Sequence, residues 1–550
     1  MIRKIIFAFG VMAAASFAAG PLWAEQPQGT NSVASPVSEG ATPSTTAEPP
    51  TTSPAVAPSV TPEAEALRKV LSDLAPGDSD EERNERAALL AFYEARTYAP
   101  LWLTPAGGLT SKTSLLAAEI KRADEWGLDP RDFPLPPGLD QGTATLAPEK
   151  VAAAEVKISL TVLKYGRYAR GGRIINPAEQ LSSYLDRRPQ LLKPSSILDG
   201  IAATEQPDVF LRGLNPRHPQ FERLRQKYLT LLGNHKQQSA EAKKLLANME
   251  EWRWMPVDMG DLYIWNNLPD FTQRVVKNGE VVRKERIVGG EVDKQTPIFT
   301  RPMRKITFKP TWIVPDSIKA RELWPNMLRG GRLMREWGLE VRTKEGKPLD
   351  WRKMNWAKTD IREYEVIQPN GPKSVMGKVK FSFPNQHTVF MHDTLERDKW
   401  MFKALRRTYS HGCMRVANPI GLAEIVLRED KGWDSSHVVE TFHKGPLNNE
   451  IALDHKIPVH MTYFTVLIDD DGKVHKFADV YGHERRIILA LEGKWNQIVK
   501  GRDHLAPVEL DLASAAERGS SDDSVERPIR QRRNRYGGEG GLFGSLFGGD

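Results

Sequence analysis

The sequence predicts an α+β protein of several domains: an all-helical first part and a mainly β second part that carries an insertion. Three observations predict it. At 550 residues the chain is too long for one core. Apolar residues recur at helical spacing up to about residue 233. After Trp252 the pattern changes to short runs of β-branched and aromatic residues divided by turn signals.

The chain opens with Arg3 and Lys4, an apolar run over about residues 5–19, and then Pro21-Leu22-Trp23-Ala24. A positive start, a short apolar stretch and a small residue before polar sequence read as a signal peptide over residues 1–24. The run is shorter than the ~20 residues a spanning helix needs, so cleavage and export are expected. Residues 25–61 are Pro, Ser, Thr, Ala and Gly with almost no large apolar side chain. Such a stretch buries too little surface to offset its ordering entropy and reads as a disordered linker.

Residues 62–233 form the helical domain. Apolar spacing predicts helices over 64–74, 81–96, 114–126 and 150–169, and a last one from Asn215-Pro216 to about residue 232. Gly127, with Pro130 beyond it, stops the third. No catalytic set of residues gathers here. Residues 234–249 read as a charged helical connector.

The β domain spans 250–500. Strands are expected over 262–266, 271–277, 281–288, 298–308, 377–383 and 388–391. Asn278-Gly279 marks a two-residue hairpin. Residues 316–372 loosen into helical pieces, Gly and Pro breaks and four Trp, and read as an inserted lid or binding segment. An amphipathic helix over 419–428, a closing hairpin of 458–467 with 474–477, and a helix over 484–492 complete the domain. The tail, 505–550, is charged, then Arg-rich, then Gly-rich, and is expected to be disordered. Five arginines cluster there, Arg527, Arg530, Arg532, Arg533 and Arg535, the net charge of +7 says little about the folded part, and no nucleic-acid partner is expected.

The chemistry concentrates in Tyr409-Ser410-His411-Gly412-Cys413-Met414-Arg415. Cys413 is the only cysteine in the chain. An exported protein ordinarily pairs its cysteines, so a lone thiol is either a buried hydrophobe or a nucleophile. Its neighbours favour the nucleophile. A thiol needs a base or a positive environment to attack. His411 and His392, the latter separated from Ser410 by seventeen intervening residues, are the candidates. Gly412 permits a tight turn that would aim the Gly412 and Cys413 amides at an oxyanion. Arg415 would clamp the loop or bind a carboxylate. Asp393 and Thr394 would orient His392, or Asp393 would serve as a surface cap. A metal site from His387, His392, His411 and Cys413 fits no common zinc spacing.

The order His392, then Ser410-His411-Gly412-Cys413-x-Arg415, resembles the signature of the L,D-transpeptidases, peptidoglycan cross-linking enzymes that use cysteine. Phe381-Ser382-Phe383-Pro384-Asn385, Trp252-Arg253-Trp254-Met255-Pro256, Gln295-Thr296-Pro297, Pro100-Leu101-Trp102 and Gly127-Leu128-Asp129-Pro130 resemble landmarks of their large periplasmic subclass. The resemblance runs from about residue 64 to 485. It implies an α-helical scaffold domain, a mainly β catalytic domain and a capping subdomain at the insertion. It implies Cys413 as nucleophile, His392 as proton donor and acceptor, and His411 and Gly412 shaping the loop and oxyanion hole. Arg415, Ser410 and Asn385 would then face the substrate.

The implied reaction takes the acyl group of a tetrapeptide stem at its third residue, diaminopimelate, releases D-Ala, and passes the acyl group to a second diaminopimelate. The product is a 3→3 cross-link. No metal or other cofactor is implied, carbapenems are expected to acylate Cys413, and the enzyme is expected to be a periplasmic monomer. Rival outcomes are hydrolysis of the same donor, attachment of an outer-membrane protein to peptidoglycan, and non-catalytic wall binding. Papain-like enzymes place Cys before His, and sortases lack Ser-His-Gly before the Cys. The small peptidoglycan-binding module that relatives carry between scaffold and catalytic domains is missing here, where only 234–249 intervene.

Overall fold

The computed structural model describes residues 61–104, 107–137 and 147–512. The expected signal peptide, all of the linker except Thr61, and the Arg- and Gly-rich end of the tail lie outside the described residues.

The first part is helical, as its periodicity predicts. It contains α1 (Pro62–Ser72), α2 (Asp80–Ala95), α3 (Ser111–Lys121), α4 (Pro148–Gly171), α5 (Pro177–Gln180), α6 (Pro194–Ala203), α7 (Pro207–Arg212), α8 (Pro219–Gly233) and α9 (Ala240–Arg253). The Thr61 and Ser79 hydroxyls cap α1 and α2, each accepting a backbone N–H at 3.2 Å. Gly127 ends the turn after α3 at φ 73°, a conformation that favours glycine. The sequence reading assigns no element over α6 and α7, which open at Pro194 and Pro207. Each Pro takes a first-turn position, where its missing N–H goes unused.

One buried carboxylate organises this domain. Glu155 on α4 accepts the backbone N–H of Trp102 at 2.9 Å, that of Leu103 at 3.2 Å and the Tyr93 hydroxyl at 2.9 Å, and also bonds Leu101 N–H. The Pro100-Leu101-Trp102 segment is thereby fastened to the central helix, and its buried amides find the partner they need.

The second part contains β1 (Leu262–Asn267), β2 (Thr272–Lys277), β3 (Glu280–Gly290), β4 (Thr300–Phe308) and β5 (Trp312–Ile313). Then come β6 (Glu340–Arg342), β7 (Pro348–Leu349), β8 (Glu365–Gln368), β9 (Val379–Ser382) and β10 (Met391–His392). The last are β11 (Thr408–Ser410), β12 (Met414–Val416), β13 (Asn449–Thr462), β14 (Val466–Ile468) and β15 (Val474–Lys476). The order β3-β12-β10-β9-β4-β13-β1-β2 closes on itself because β2 also pairs with β3, making an eight-stranded barrel among the described residues. Closure removes free edges. Ile264, Phe299, Ile306, Phe381, Met391, Met414 and Val459 share its core.

α10 (Asp316–Ile318), α11 (Trp324–Leu328) and α12 (Arg332–Trp337) lie in the insertion, with a π-helical turn, Lys319–Leu323, between the first two. The insertion also holds a small sheet, β5-β8-β6-β7, which the sequence reading missed because its strands are two to four residues long. It has a core of its own around Trp312, Trp324, Trp337 and Trp356. α13 (Pro419–Lys431), α14 (Ser435–Lys444) and α15 (His483–Leu491) complete the chain's helices among the described residues.

Three expectations are corrected. The connector does not end at residue 249: α9 continues to Arg253, because Trp252 stacks on His218 at 4.1 Å and on Phe464 at 4.3 Å. Scaffold helices and barrel strands therefore share one core rather than being spaced apart. The closing hairpin pairs Val466–Ile468 with Val474–Lys476, while 458–462 belong to long β13, whose polar, alternating first half hid it. The tail is not free from residue 505. Leu510 and Leu512 pack against the insertion's core, and Arg362 Nη1 donates to the Val508 carbonyl at 2.7 Å. Its few apolar residues find a surface that buries them.

Candidate active site

Two parallel strands position the thiol of Cys413 and the imidazole of His392. β10 and β12 lie side by side with Met391 opposite Met414 and His392 opposite Arg415. Alternation sends both Met side chains into the barrel core and turns His392 and Arg415 to the other face. Cys413, just before β12, opens on the same cavity. That cavity, of about 1030 Å³, lies between barrel, insertion, scaffold and tail. His392, Ser410, His411, Gly412, Cys413, Arg415 and Asn385 all line it, while Asp393 and Thr394 do not.

The loop before Cys413 is pinned at several points. The Ser410 hydroxyl donates to the Cys413 carbonyl and accepts the Gly412 N–H at 3.3 Å, and Glu291 N–H holds the Ser410 carbonyl at 2.8 Å. The Met414 N–H donates to the Phe390 carbonyl at 3.0 Å. Gly412 sits at φ 104°, and a Cβ there would come within 3.3 Å of the Gln295 carbonyl oxygen. Ser410 thus folds the loop and presents no free hydroxyl to a substrate. Asn385 is likewise committed: its Nδ2 donates to the Phe383 and Val389 carbonyls, and its Oδ1 accepts from His387 and Val389. Both side chains position the cavity wall, which corrects their expected role as substrate contacts.

Arg415 is also placed differently from expectation. It is 2% exposed, with Nη1 against Met401 Sδ at 3.0 Å. Burial lowers its pKa, and the nearby Asp398 works against that. It acts on the site as a buried charge rather than as an open carboxylate fork. Asp393 holds the turn at Gly377-Lys378 by accepting Lys378 N–H at 2.8 Å, so that turn, and not His392, takes up its carboxylate.

His392 is 5% exposed and its Nδ1 has no hydrogen-bond partner. Burial, with the positive charges of Arg415 and Lys380, brings its pKa down to about 3. The imidazole is therefore neutral, with a lone pair to accept a proton. Burial pushes the Cys413 thiol up to about 11, against a hydrogen bond from the Phe390 backbone and the charges of Lys380 and Arg415. The resting pair is a neutral thiol beside a neutral imidazole. Attack therefore requires the proton to leave sulfur as the new bond forms.

Several contributors were not legible in the sequence. Lys380 on β9 sits directly opposite His392 and lines the cavity. Glu322, in the π-helical turn, binds His411 Nε2 and lies 3.4 Å from Lys294 Nζ. Burial pushes the Glu322 carboxyl up, but His411 and Lys294 together hold it below the usual range. His411 thus joins the catalytic loop to the insertion. His387 belongs to a separate chain of bonds that excludes it from any group with His392 and Cys413. Its Nε2 lies 3.0 Å from Asp186, its Nδ1 lies 2.7 Å from His504 Nε2, and His504 Nδ1 lies 2.8 Å from Ser183 Oγ. This chain ties tail, barrel and scaffold together at the cavity rim. Among the described residues no three metal-ligating side chains converge.

Comparison with known proteins finds both parts similar to described domains. Residues 87–227 match a family model described as a scaffold domain. Residues 261–439, which contain the cavity loop and His392, match one described as an L,D-transpeptidase catalytic domain. A Haemophilus influenzae protein provisionally named an L,D-transpeptidase is 23% identical over 419 residues, covering 75% of this chain and 81% of that one. A solved structure of an L,D-transpeptidase from Mycobacterium smegmatis shows 12% identity and a TM-score of 0.17. The match covers 37% of this chain and 58% of that one.

Proposed function

We propose that this chain, whose parts match family models described as a scaffold domain and an L,D-transpeptidase catalytic domain, uses Cys413 as its nucleophile and forms 3→3 cross-links between peptidoglycan stem peptides in the periplasm. The observation that carries the reading is the placement of the chain's only thiol, just before β12, and of a neutral buried imidazole on the neighbouring parallel strand β10, at one cavity.

In this reading the tetrapeptide donor lies in the cavity with the diaminopimelate carbonyl at Cys413. His392 takes the thiol proton as sulfur bonds to the carbonyl carbon. The Gly412 and Cys413 amides are the proposed oxyanion donors, with Gly412 N–H exchanging its 3.3 Å bond to Ser410 for the oxyanion. The tetrahedral adduct collapses, the C–N bond breaks, and His392 returns its proton to the D-Ala amine. A second diaminopimelate amine then attacks the thioester and gives a proton to His392. The C–S bond breaks and the thiol is restored, so atoms and charge balance. The walls of insertion and tail favour an amine over water by shielding one side of the thioester. The apolar run behind Arg3 and Lys4 supports export.

Muropeptide mass spectrometry tests this. The mature enzyme and Cys413→Ala are incubated with disaccharide-tetrapeptide. A dimer lighter than two monomers by one D-Ala, absent with the variant, is expected. Tripeptide without dimer would make water the acceptor. No product and no adduct on Cys413 would defeat the reading, leaving wall binding or a protein acceptor.

A further inference from the structure

Lys380 carries a positive charge into the site, yet no described residue offers it a hydrogen bond or ion pair. It lies on β9, and its partner in the antiparallel register is His392. Val379 and Phe381, its neighbours, point into the barrel core, so Lys380 stands on the face that carries His392 and Arg415. Its ammonium lies 4.5 Å from the centre of the Phe390 ring, and Phe390 is the residue whose carbonyl receives Met414 N–H beside Cys413. An ammonium held against an aromatic face has shed much of its water, and a partly desolvated cation without an anion is costly. The only carboxylate that acts on it from nearby is Glu450, which itself pairs with Lys305 at 2.7 Å.

We propose that Lys380 is the counter-cation of the Cys413 thiolate, a positioning residue that stabilises negative charge on sulfur when His392 takes the proton and again when the thioester breaks. Three further features agree. Lys380 and Cys413 act on each other electrostatically, each favouring the other's charged form. Lys380 and Arg415 both disfavour protonated His392, which keeps the base ready. The other charges near the loop are already matched: Glu322 with His411 and Lys294, and Arg415 beside Asp398. Lys380 alone among these cations lacks a partner, and the thiolate that forms during the reaction would supply one.

The proposal rests on Cys413 being the nucleophile, but its test does not require cross-linking. The alkylation rate of Cys413 by iodoacetamide, an uncharged reagent, is measured from pH 6 to 9.5 for the wild type, Lys380→Met and Lys380→Arg. Thermal melting of each variant verifies folding. Lys380→Met is expected to raise the thiol's midpoint by about one pH unit. The alkylation line should then fall by about three- to tenfold, the lower end because a more basic thiolate is also more nucleophilic. Lys380→Arg should recover most of the loss. Unchanged alkylation in Lys380→Met would overturn the proposal. So would equal loss in both variants, which would mark a packing role, or unchanged alkylation with a raised donor KM, which would make Lys380 a substrate contact. If Lys380→Met shifts the titration but the wild type forms no dimer, the counter-cation stands and the proposed function falls.

Discussion

Glu322→Gln separates the insertion from the catalytic loop at one bond. Glu322 and His411 have side chains 16% and 9% exposed, so their hydrogen bond is largely shielded from water. A hydrogen bond to a charged group contributes about 1.5–3 kcal/mol where it is buried, and Lys294 at 3.4 Å retains some of the carboxylate's role only while the charge is present. Glutamine keeps the shape and loses the charge. If the full difference is felt as displacement of the His411-Gly412-Cys413 turn, acylation should slow by about 10- to 100-fold, since each 1.36 kcal/mol is tenfold in rate. The insertion retains its own core around Trp324 and Trp337, so the melting temperature should change little. The assay is the rate of β-lactam acylation of Cys413 by intact-protein mass spectrometry, in a cycle of Glu322→Gln, His411→Gln and the double variant. A coupling of about 1.5 kcal/mol or more is expected. Additive single effects, or wild-type acylation in Glu322→Gln, would show that the bond does not set the loop.

Three further outcomes are expected. Gly412→Ala places a side chain at φ 104° and against the Gln295 carbonyl. It should cost about 1–3 kcal/mol in urea denaturation and remove most acylation, and full acylation would refute the strained turn. Buried His392 and His460, each with a pKa near 3, and His483, also lowered by burial, stay neutral while the unfolded chain takes up protons below 6.5. Each therefore removes about 1.4 kcal/mol of stability per pH unit on acidification from 6.5 toward 3. Glu250 and Glu251, raised by burial, act in the opposite sense. Melting should fall steeply from pH 6.5 to 4.5, and a flat profile would contradict neutral burial. His504→Ala removes the stack on Tyr184 at 3.8 Å and the bond to His387. Tryptic cleavage at Lys500 and Arg502 should quicken about tenfold, as for loss of about 1.4 kcal/mol of local stability, and an unchanged rate would show that the tail is held elsewhere.

Local chemistry was enough to determine much of this protein. Periodicity placed α1 to α4 and most barrel strands, because a half-buried helix or strand writes its buried face into every third, fourth or second residue. Cys413, His392 and Ser410-His411-Gly412 were legible because nucleophile, base and turn are scarce residue types in a short pattern. Tertiary structure decided the rest. Lys380 reads as the solvated residue of an ordinary strand until the insertion covers that face of the barrel. Glu322 reads as one charge in a loosely patterned stretch until a π-helical turn carries it to His411. Asn385 and Ser410 look available to substrate until folding commits their hydrogen bonds to the loops that hold them. Leu510 and Leu512 look too sparse to order a tail until the insertion offers them a core. Each of these outcomes depends on what a residue meets from a distant segment, and sequence spacing carries no record of that.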